Sequence, residues 1–189
     1  MTFHRSAVLM IGAIGLSLGL LPLPLTGDAR NPEPEPVHRP TPTHEESIAG
    51  AFAARYGIDL ELAGIIHRTA VEHGLEPAAV FGLIATESAF DTRAVGRAGS
   101  VGLMQIKPST ARAYDPQATR ERLFNPEINV RVGMAHLSRE LAHFHHDWTL
   151  GLLSYNMGRA RLSRALANGV VPRNGYARKV LAHCGKLCS

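Results

Sequence analysis

Residues 87–111 read Glu87-Ser88-Ala89-Phe90-Asp91-Thr92-Arg93-Ala94-Val95-Gly96-Arg97-Ala98-Gly99-Ser100-Val101-Gly102-Leu103-Met104-Gln105-Ile106-Lys107-Pro108-Ser109-Thr110-Ala111. Glu87 closes an apolar run, Pro77-Ala78-Ala79-Val80-Phe81-Gly82-Leu83-Ile84-Ala85-Thr86, that reads as a helix with proline at its first position, where the missing N–H is not needed. A carboxylate in a last helical turn faces the negative end of the helix dipole. Burial by Val80, Phe81 and Ile84 would disfavour its charged form further. Both effects keep an acid protonated near neutral pH, the state that can donate a proton to a leaving oxygen. The rival reading is a surface glutamate that merely ends a helix. The glycine-rich segment after it shifts the balance, because Gly99 and Gly102 allow positive φ and close backbone approach to a ligand. Pro108 with Ser109 or Thr110 opens another short helix reaching about Tyr114. The chain thus leaves Glu87, makes an irregular excursion, and returns with Met104 and Gln105.

Outward from this stretch, every long segment carries helical rather than alternating periodicity. Ser47–Tyr56 and Asp59–His73 place Leu62, Ile65, Ile66 and Ala70 at three- and four-residue steps, with Asp59 as cap and Gly74 as stop. Asn125 caps and Pro126 opens the longest helix, striped by Val130, Met134, Leu137, Leu141 and Phe144. Asp147 caps a segment through Trp148, Leu152 and Leu153 to Tyr155. A further helix runs from about Arg159 to Asn168, stopped by Gly169 and Pro172, and a last one carries Tyr176, Val180 and Leu181. No window alternates at period two for long. These patterns predict one all-α, or nearly all-α, domain.

The N-terminus lies outside that domain. His4-Arg5, the apolar run Ala7–Leu21 and the small residues Gly27 and Ala29 read as a secretory signal over residues 1–29, cleaved after Ala29. An uncleaved membrane anchor is the alternative, although Pro22 and Pro24 cut the run short of a comfortable span. Residues 30–46 are a linker in which Pro32, Pro34, Pro36, Pro40 and Pro42 alternate with Glu33, Glu35, Thr41 and Thr43, a density that favours extended polyproline II without an apolar face. The domain proper is residues 47–189.

With 189 residues and 45% hydrophobic content the chain can build one proper core. Its formal charge of +4 is compatible with an anionic polymer. No dense Lys/Arg run interleaves with aromatics, which speaks against nucleic acid as a partner. Cys184 and Cys188 are the only cysteines; in an exported chain a terminal disulfide is reasonable, though so small a loop removes little unfolded-state entropy. His136, His143, His145 and His146 cluster around the long helix, yet no cysteine pairing or HExxH pattern accompanies them, so they read as surface residues and not as a metal site. A second carboxylate for ordinary glycoside hydrolysis would sit about 5 Å or about 6.5–9.5 Å from the first. Asp91 is near in sequence but reads as a solvated or capping residue. Asp115, Glu121, Glu127, Glu140 and Asp147 read as loop or helix-start residues.

Glu87-Ser88-x-Phe90 followed by Gly99-x-x-Gly102-Leu103-Met104-Gln105-Ile106-x-Pro108-x-Thr110-Ala111 resembles the soluble lytic transglycosylase family. Further motifs follow in order: Asn125-Pro126-Glu127-x-Asn129, Tyr155-Asn156-x-Gly158, and Tyr176-Ala177-x-Lys179-Val180. The resemblance covers the last three quarters of the chain and implies a lysozyme-like helical domain, of the goose-lysozyme-like kind. It implies cleavage of the bond between N-acetylmuramic acid and N-acetylglucosamine in peptidoglycan by a single glutamate, here Glu87, acting first as acid and then as base, with no water consumed, a 1,6-anhydro ring as product and no cofactor. It further implies that Met104 and Gln105 line the groove, that Tyr155 and Asn156 bind substrate, with Ser154 in place of the family's alanine, and that the Tyr176 hydroxyl approaches the glutamate. One departure stands out: many members carry a serine nine residues after the glutamate that contacts the N-acetyl group. This chain has Gly96 there, with Ser100 near but not at the position.

The alternatives are a goose-type lysozyme-like hydrolase, which would release a reducing sugar, and a non-catalytic glycan-binding accessory protein. The expected location is periplasmic and the expected state monomeric. A short domain on a proline spacer also fits an accessory enzyme that opens the wall for a secretion, conjugation or flagellar apparatus.

Overall fold

The computed structural model describes residues 43–173 and 175–184. The signal segment, residues 30–42 of the linker and Cys188 lie outside the described residues. Helices α1 (His44–Tyr56), α2 (Leu60–Glu72), α3 (Pro77–Glu87), α4 (Pro108–Ala111), α5 (Pro126–His143), α6 (Trp148–Met157), α7 (Arg159–Ala167) and α8 (Tyr176–Leu181) follow in order, with a 3-10 turn at Arg122–Phe124 before α5. Among the described residues there is no strand; two isolated bridges, Val95 to Val101 and Val101 to Ile106, pin the irregular segment.

Side-chain caps set four of these eight helix starts, those of α1, α3, α5 and α6. Asn125 accepts from the Ile128 N–H at 3.0 Å, and Asp147 from Leu150 at 2.9 Å. Glu76 accepts from Ala78 at 3.2 Å, just ahead of Pro77. Asp59 occupies the cap position of α2 but makes no side-chain capping bond. The first helix begins earlier than Ser47. Thr43 and Glu46 cap each other's backbone in a reciprocal box, Glu46 N–H to Thr43 Oγ1 at 3.2 Å and Thr43 N–H to Glu46 Oε2 at 2.7 Å. These contacts satisfy two orphan donors and draw residues 44–46 into the helix.

The core gathers around α3, which is buried continuously from Ala78 to Ile84. Phe81 stacks on Phe52 of α1 with ring centroids 4.1 Å apart and lies 5.7 Å from Tyr56. Helix α5 packs on α2 and α6, and α8 packs on both α3 and α6. The α3–α8 crossing is close because Gly82 has no side chain: a Cβ there would lie 2.6 Å from the Val180 carbonyl and 2.7 Å from His183 Cβ. That closeness sets the distance between the last residue of α3 and the first of α8, which are Glu87 and Tyr176.

Candidate active site

Glu87 ends α3 half-buried, and the chain then turns sharply. The Ser88 N–H and Oγ both bond back to the Ile84 carbonyl, at 3.0 and 3.2 Å. Ala89 and Phe90 follow at φ +50° and +65°, a left-handed conformation that costs a non-glycine residue roughly 1 kcal/mol. Phe90 is held there by packing on Tyr56 and Phe81, 5.0 and 6.2 Å between ring centroids. The turn swings the following segment away and leaves the carboxyl facing a cleft.

Tyr176, the first residue of α8, donates its hydroxyl to Glu87 Oε1. Burial raises the Glu87 carboxyl above its ordinary value, while the Tyr176 hydrogen bond and the Lys179 charge one turn further along α8 pull partly the other way. The net is an acid that keeps its proton at higher pH than a free glutamate, with a hydrogen-bond donor ready for the carboxylate once the proton has gone. Burial and the neighbouring Glu87 charge push both Tyr176 and Tyr155 well above the ordinary phenol, so both stay protonated donors.

The cleft has a volume of about 920 Å³, and Glu87, Gln105, Tyr155 and Asn156 all line it. Tyr176 joins it through Glu87. Met104 does not line it. Its side chain is fully buried, packed so closely on α5 that a Cβ at Gly133 would sit 2.4 Å from its sulfur. What Met104 contributes is its main chain: Asn129 Oδ1 accepts its N–H at 2.8 Å, and the Tyr155 hydroxyl donates to its carbonyl at 2.7 Å. Asn129 is itself buried and donates to the Val101 and Leu123 carbonyls at 3.0 and 2.7 Å. The glycine-rich segment is therefore tied to both α5 and α6. Gln105, at φ +47°, is held by its own amide, which donates to Gly102 O at 2.9 Å and Ala94 O at 3.2 Å and accepts from Ser100 Oγ at 2.9 Å.

Glu140 overturns its sequence assignment. It lies in the last turn of α5, 2% exposed, and lines the same cleft. Arg159 donates to it twice, at 2.6 and 2.9 Å, and Ser154 donates at 2.5 Å. Burial alone would raise Glu140, but the hydrogen bonds from Arg159 and Ser154, with the neighbouring His136 and Arg159 charges, hold it below the ordinary carboxylate. It is thus an ionised, fully engaged group, unsuited to donating a proton. Ser154 is part of this device rather than a neutral exchange for alanine. His136 is half-buried rather than a surface residue, bonded to the Tyr114 hydroxyl at 3.0 Å, and desolvation lowers it while Glu140 opposes that. Asp91 accepts the Arg93 N–H at 2.8 Å in an exposed turn, a local capping role.

A helical domain in which one protonatable glutamate ends the innermost helix and faces a long cleft belongs to the lysozyme-like class. The transglycosylase SLT domain model matches residues 64–170, more than half of the chain, and the chain belongs to that family. It is 35% identical over 81 residues to membrane-bound lytic murein transglycosylase C of Actinobacillus pleuropneumoniae serotype 5b (strain L20), covering 39% of this chain and 22% of that protein. The same-named protein of Yersinia pestis (strain Pestoides F) is 33% identical over 81 residues, 39% of this chain and 23% of that one. The chain thus spans under a quarter of the length of these curated relatives.

Among solved structures, an inactive glutamate-to-glutamine variant of lytic transglycosylase Slt from Pseudomonas aeruginosa superposes with a TM-score of 0.57 at 28% identity, covering 62% of this chain and 22% of that one. The 70-kDa soluble lytic transglycosylase complexed with bulgecin A gives a TM-score of 0.61 at 22% identity over 72% of this chain and 25% of that one, a likeness of fold.

Proposed function

We propose that this protein is a lytic transglycosylase that cleaves the β-1,4 bond between N-acetylmuramic acid and N-acetylglucosamine in peptidoglycan, with Glu87 as its one acid and base. The observation that carries the reading is the pairing of a half-buried, proton-retaining Glu87 with the Tyr176 hydroxyl at the edge of a cleft whose other carboxylate, Glu140, is locked to Arg159. Glu87 gives its proton to the glycosidic oxygen as the bond to the muramic C1 breaks, and the N-acetylglucosamine end leaves as an alcohol. The resulting carboxylate, stabilised by the Tyr176 donor, takes the proton from the muramic 6-hydroxyl while that oxygen bonds to C1. Glu87 is regenerated protonated and no water enters the balance. Gln105, Tyr155 and Asn156 form the cleft walls that hold the strand.

The family membership supports the chemistry, as does the inactivity of a relative of this fold when one glutamate becomes glutamine. The names of the curated relatives support an envelope location. Mass analysis of the soluble products from purified sacculi tests the reading. Anhydro-muramic ends are expected; reducing ends would instead establish a hydrolase.

A further inference from the structure

Helix α7 divides its circumference three ways. Leu162 is buried and Leu166 half-buried on the side that packs on α6, while Ala160 and Ser163 line the cleft. Arg161 and Arg164, three residues apart and so neighbours on one face, are exposed on the remaining side. Among the described residues neither side chain is paired. The helix ends in a closed turn: Gly169, at φ +70°, donates to the Leu166 carbonyl and Val170 to that of Ala165, both at 2.9 Å.

That turn fixes two valines at the tip of the connection to α8, Val170 56% and Val171 51% exposed. The other large apolar residues most exposed among those described, Leu60, Val71 and Val95, stand singly in the sequence, as scattered surface residues do. Arg173 follows two positions after Val171, and Arg178 folds back from α8 to within 3.7 Å of where a Gly175 Cβ would stand. From Trp148 to Cys184 the sequence holds six Arg and Lys and no Asp or Glu. Glu140, which reaches α7 from α5, is spent on Arg159. The tip is thus an apolar pair rimmed by cations that their own segment does not neutralise. Guanidinium groups match phosphate, and each basic side chain near an anionic bilayer adds attraction. A charged polymer would use the arginines and leave the valines in water; an anionic bilayer uses both.

We propose that the α7–α8 connection is a docking surface for a bilayer carrying anionic phospholipid, with Val170 and Val171 entering the headgroup region and Arg161, Arg164, Arg173 and Arg178 facing lipid phosphates. The cleft lies along a different side of α7, so a docked protein keeps it open beside the lipid.

The test mixes the full chain with vesicles of phosphatidylcholine alone, or of equal parts phosphatidylcholine and phosphatidylglycerol, and measures co-sedimentation and backbone amide exchange. The apolar run Ala7–Leu21 can hold lipid by itself, so the readouts are exchange within residues 168–173 and the ratio of anionic to neutral partition. Exchange at the tip is expected to slow on the anionic vesicles and to recover in added salt. R161Q/R164Q/R173Q is expected to lower the partition ratio about 100-fold. V170S/V171S is expected to lose the slowed exchange while keeping most of the ratio. Both variants should retain wild-type Tm and wild-type product release from solubilised glycan strands. Unchanged exchange at the tip on anionic vesicles, a ratio indifferent to the arginines, or a loss that tracks Tm overturns the proposal. Retention on purified sacculi that follows the arginines but not the valines, without protection on vesicles, identifies a polymer as the occupant and overturns it equally.

Discussion

The hydroxyl of Tyr176 donates to Oε1 of Glu87 across 89 positions of sequence, joining the last residue of α3 to the first of α8. This bond favours the ionised carboxylate while burial favours the neutral one, and burial prevails. The group therefore holds its proton above the ordinary range while keeping beside it a donor that stabilises the ionised state.

Replacing Glu87 with Gln is expected to abolish release of soluble products from sacculi. Because the native carboxyl is held above its unfolded value, its ionisation in the unfolded chain opposes folding once the pH passes the ordinary glutamate value of 4.5. The uncharged amide removes that opposition, so Tm near neutral pH should stay the same or rise. A variant that still digests sacculi would falsify the assignment.

Tyr176→Phe removes the donor that lowers Glu87, so the carboxyl titrates higher. Activity needs the protonated acid and is lost as pH rises through its pKa; in this variant the alkaline limb of the rate profile should move to higher pH. The peak rate should nevertheless fall about 10-fold or more, the cost of losing a hydrogen bond to a charged group. A pH series of initial rates checks both statements, and an unmoved alkaline limb would detach Tyr176 from Glu87.

Glu140 and His136 give the domain a two-stage acid response. His136 is lowered by desolvation, so its stabilising neutral state is lost as pH falls below its ordinary 6.5. Glu140 is depressed in the folded state, so its contribution is present above 4.5 and disappears only as pH falls through the lower folded value. Denaturant midpoints measured between neutral and acidic pH should show both stages. Glu140→Ala should destabilise by about 2 kcal/mol or more, below the usual cost of breaking a buried pair because Arg159 is 34% exposed and can turn to water. It should also erase the more acidic stage.

Asn129 satisfies one N–H and two carbonyls inside the core. Asn129→Ala should cost about 2–5 kcal/mol by leaving them unpaired. Asn129→Asp should cost more than Ala, since a carboxylate would confront the Val101 and Leu123 carbonyls with no proton to offer. Chemical denaturation of the two variants ranks them directly; an aspartate better tolerated than alanine would overturn the account of this residue.

Gly82→Ala probes the α3–α8 crossing. Its Cβ would press on the Val180 carbonyl, at a cost of about 1–3 kcal/mol for forced overpacking. Because the push separates α8 from the end of α3, activity should fall by more than the stability loss at assay temperature explains.

Helix starts were readable from Asn125-Pro126 and Asp147 because local side chains close the caps that those residue types announce. The box of Thr43 and Glu46 carried an equally local signal, a threonine followed three residues later by glutamate, but it is masked by the proline run before it. The motif order placed Glu87, Gln105, Tyr155, Asn156 and Tyr176 around one site. Met104 was misassigned because adjacency to Gln105 says nothing about which face each side chain takes; residue 104 points into α5 and residue 105 into the cleft. Glu140 was unreadable for a different reason. On α5 it stands beside Arg139 and one turn before His143, a pattern indistinguishable from a solvated face, whereas the partners that make it a core residue, Ser154 and Arg159, lie on other helices.

The burial of α3 from Ala78 to Ile84 also bears on how the protein responds to heat. The Glu87 carboxyl is mounted on the end of this rod, so heat should not loosen it ahead of the body that carries it. Inactivation on warming should coincide with cooperative collapse, and lengthening working life means reinforcing the scaffold rather than tethering a flap.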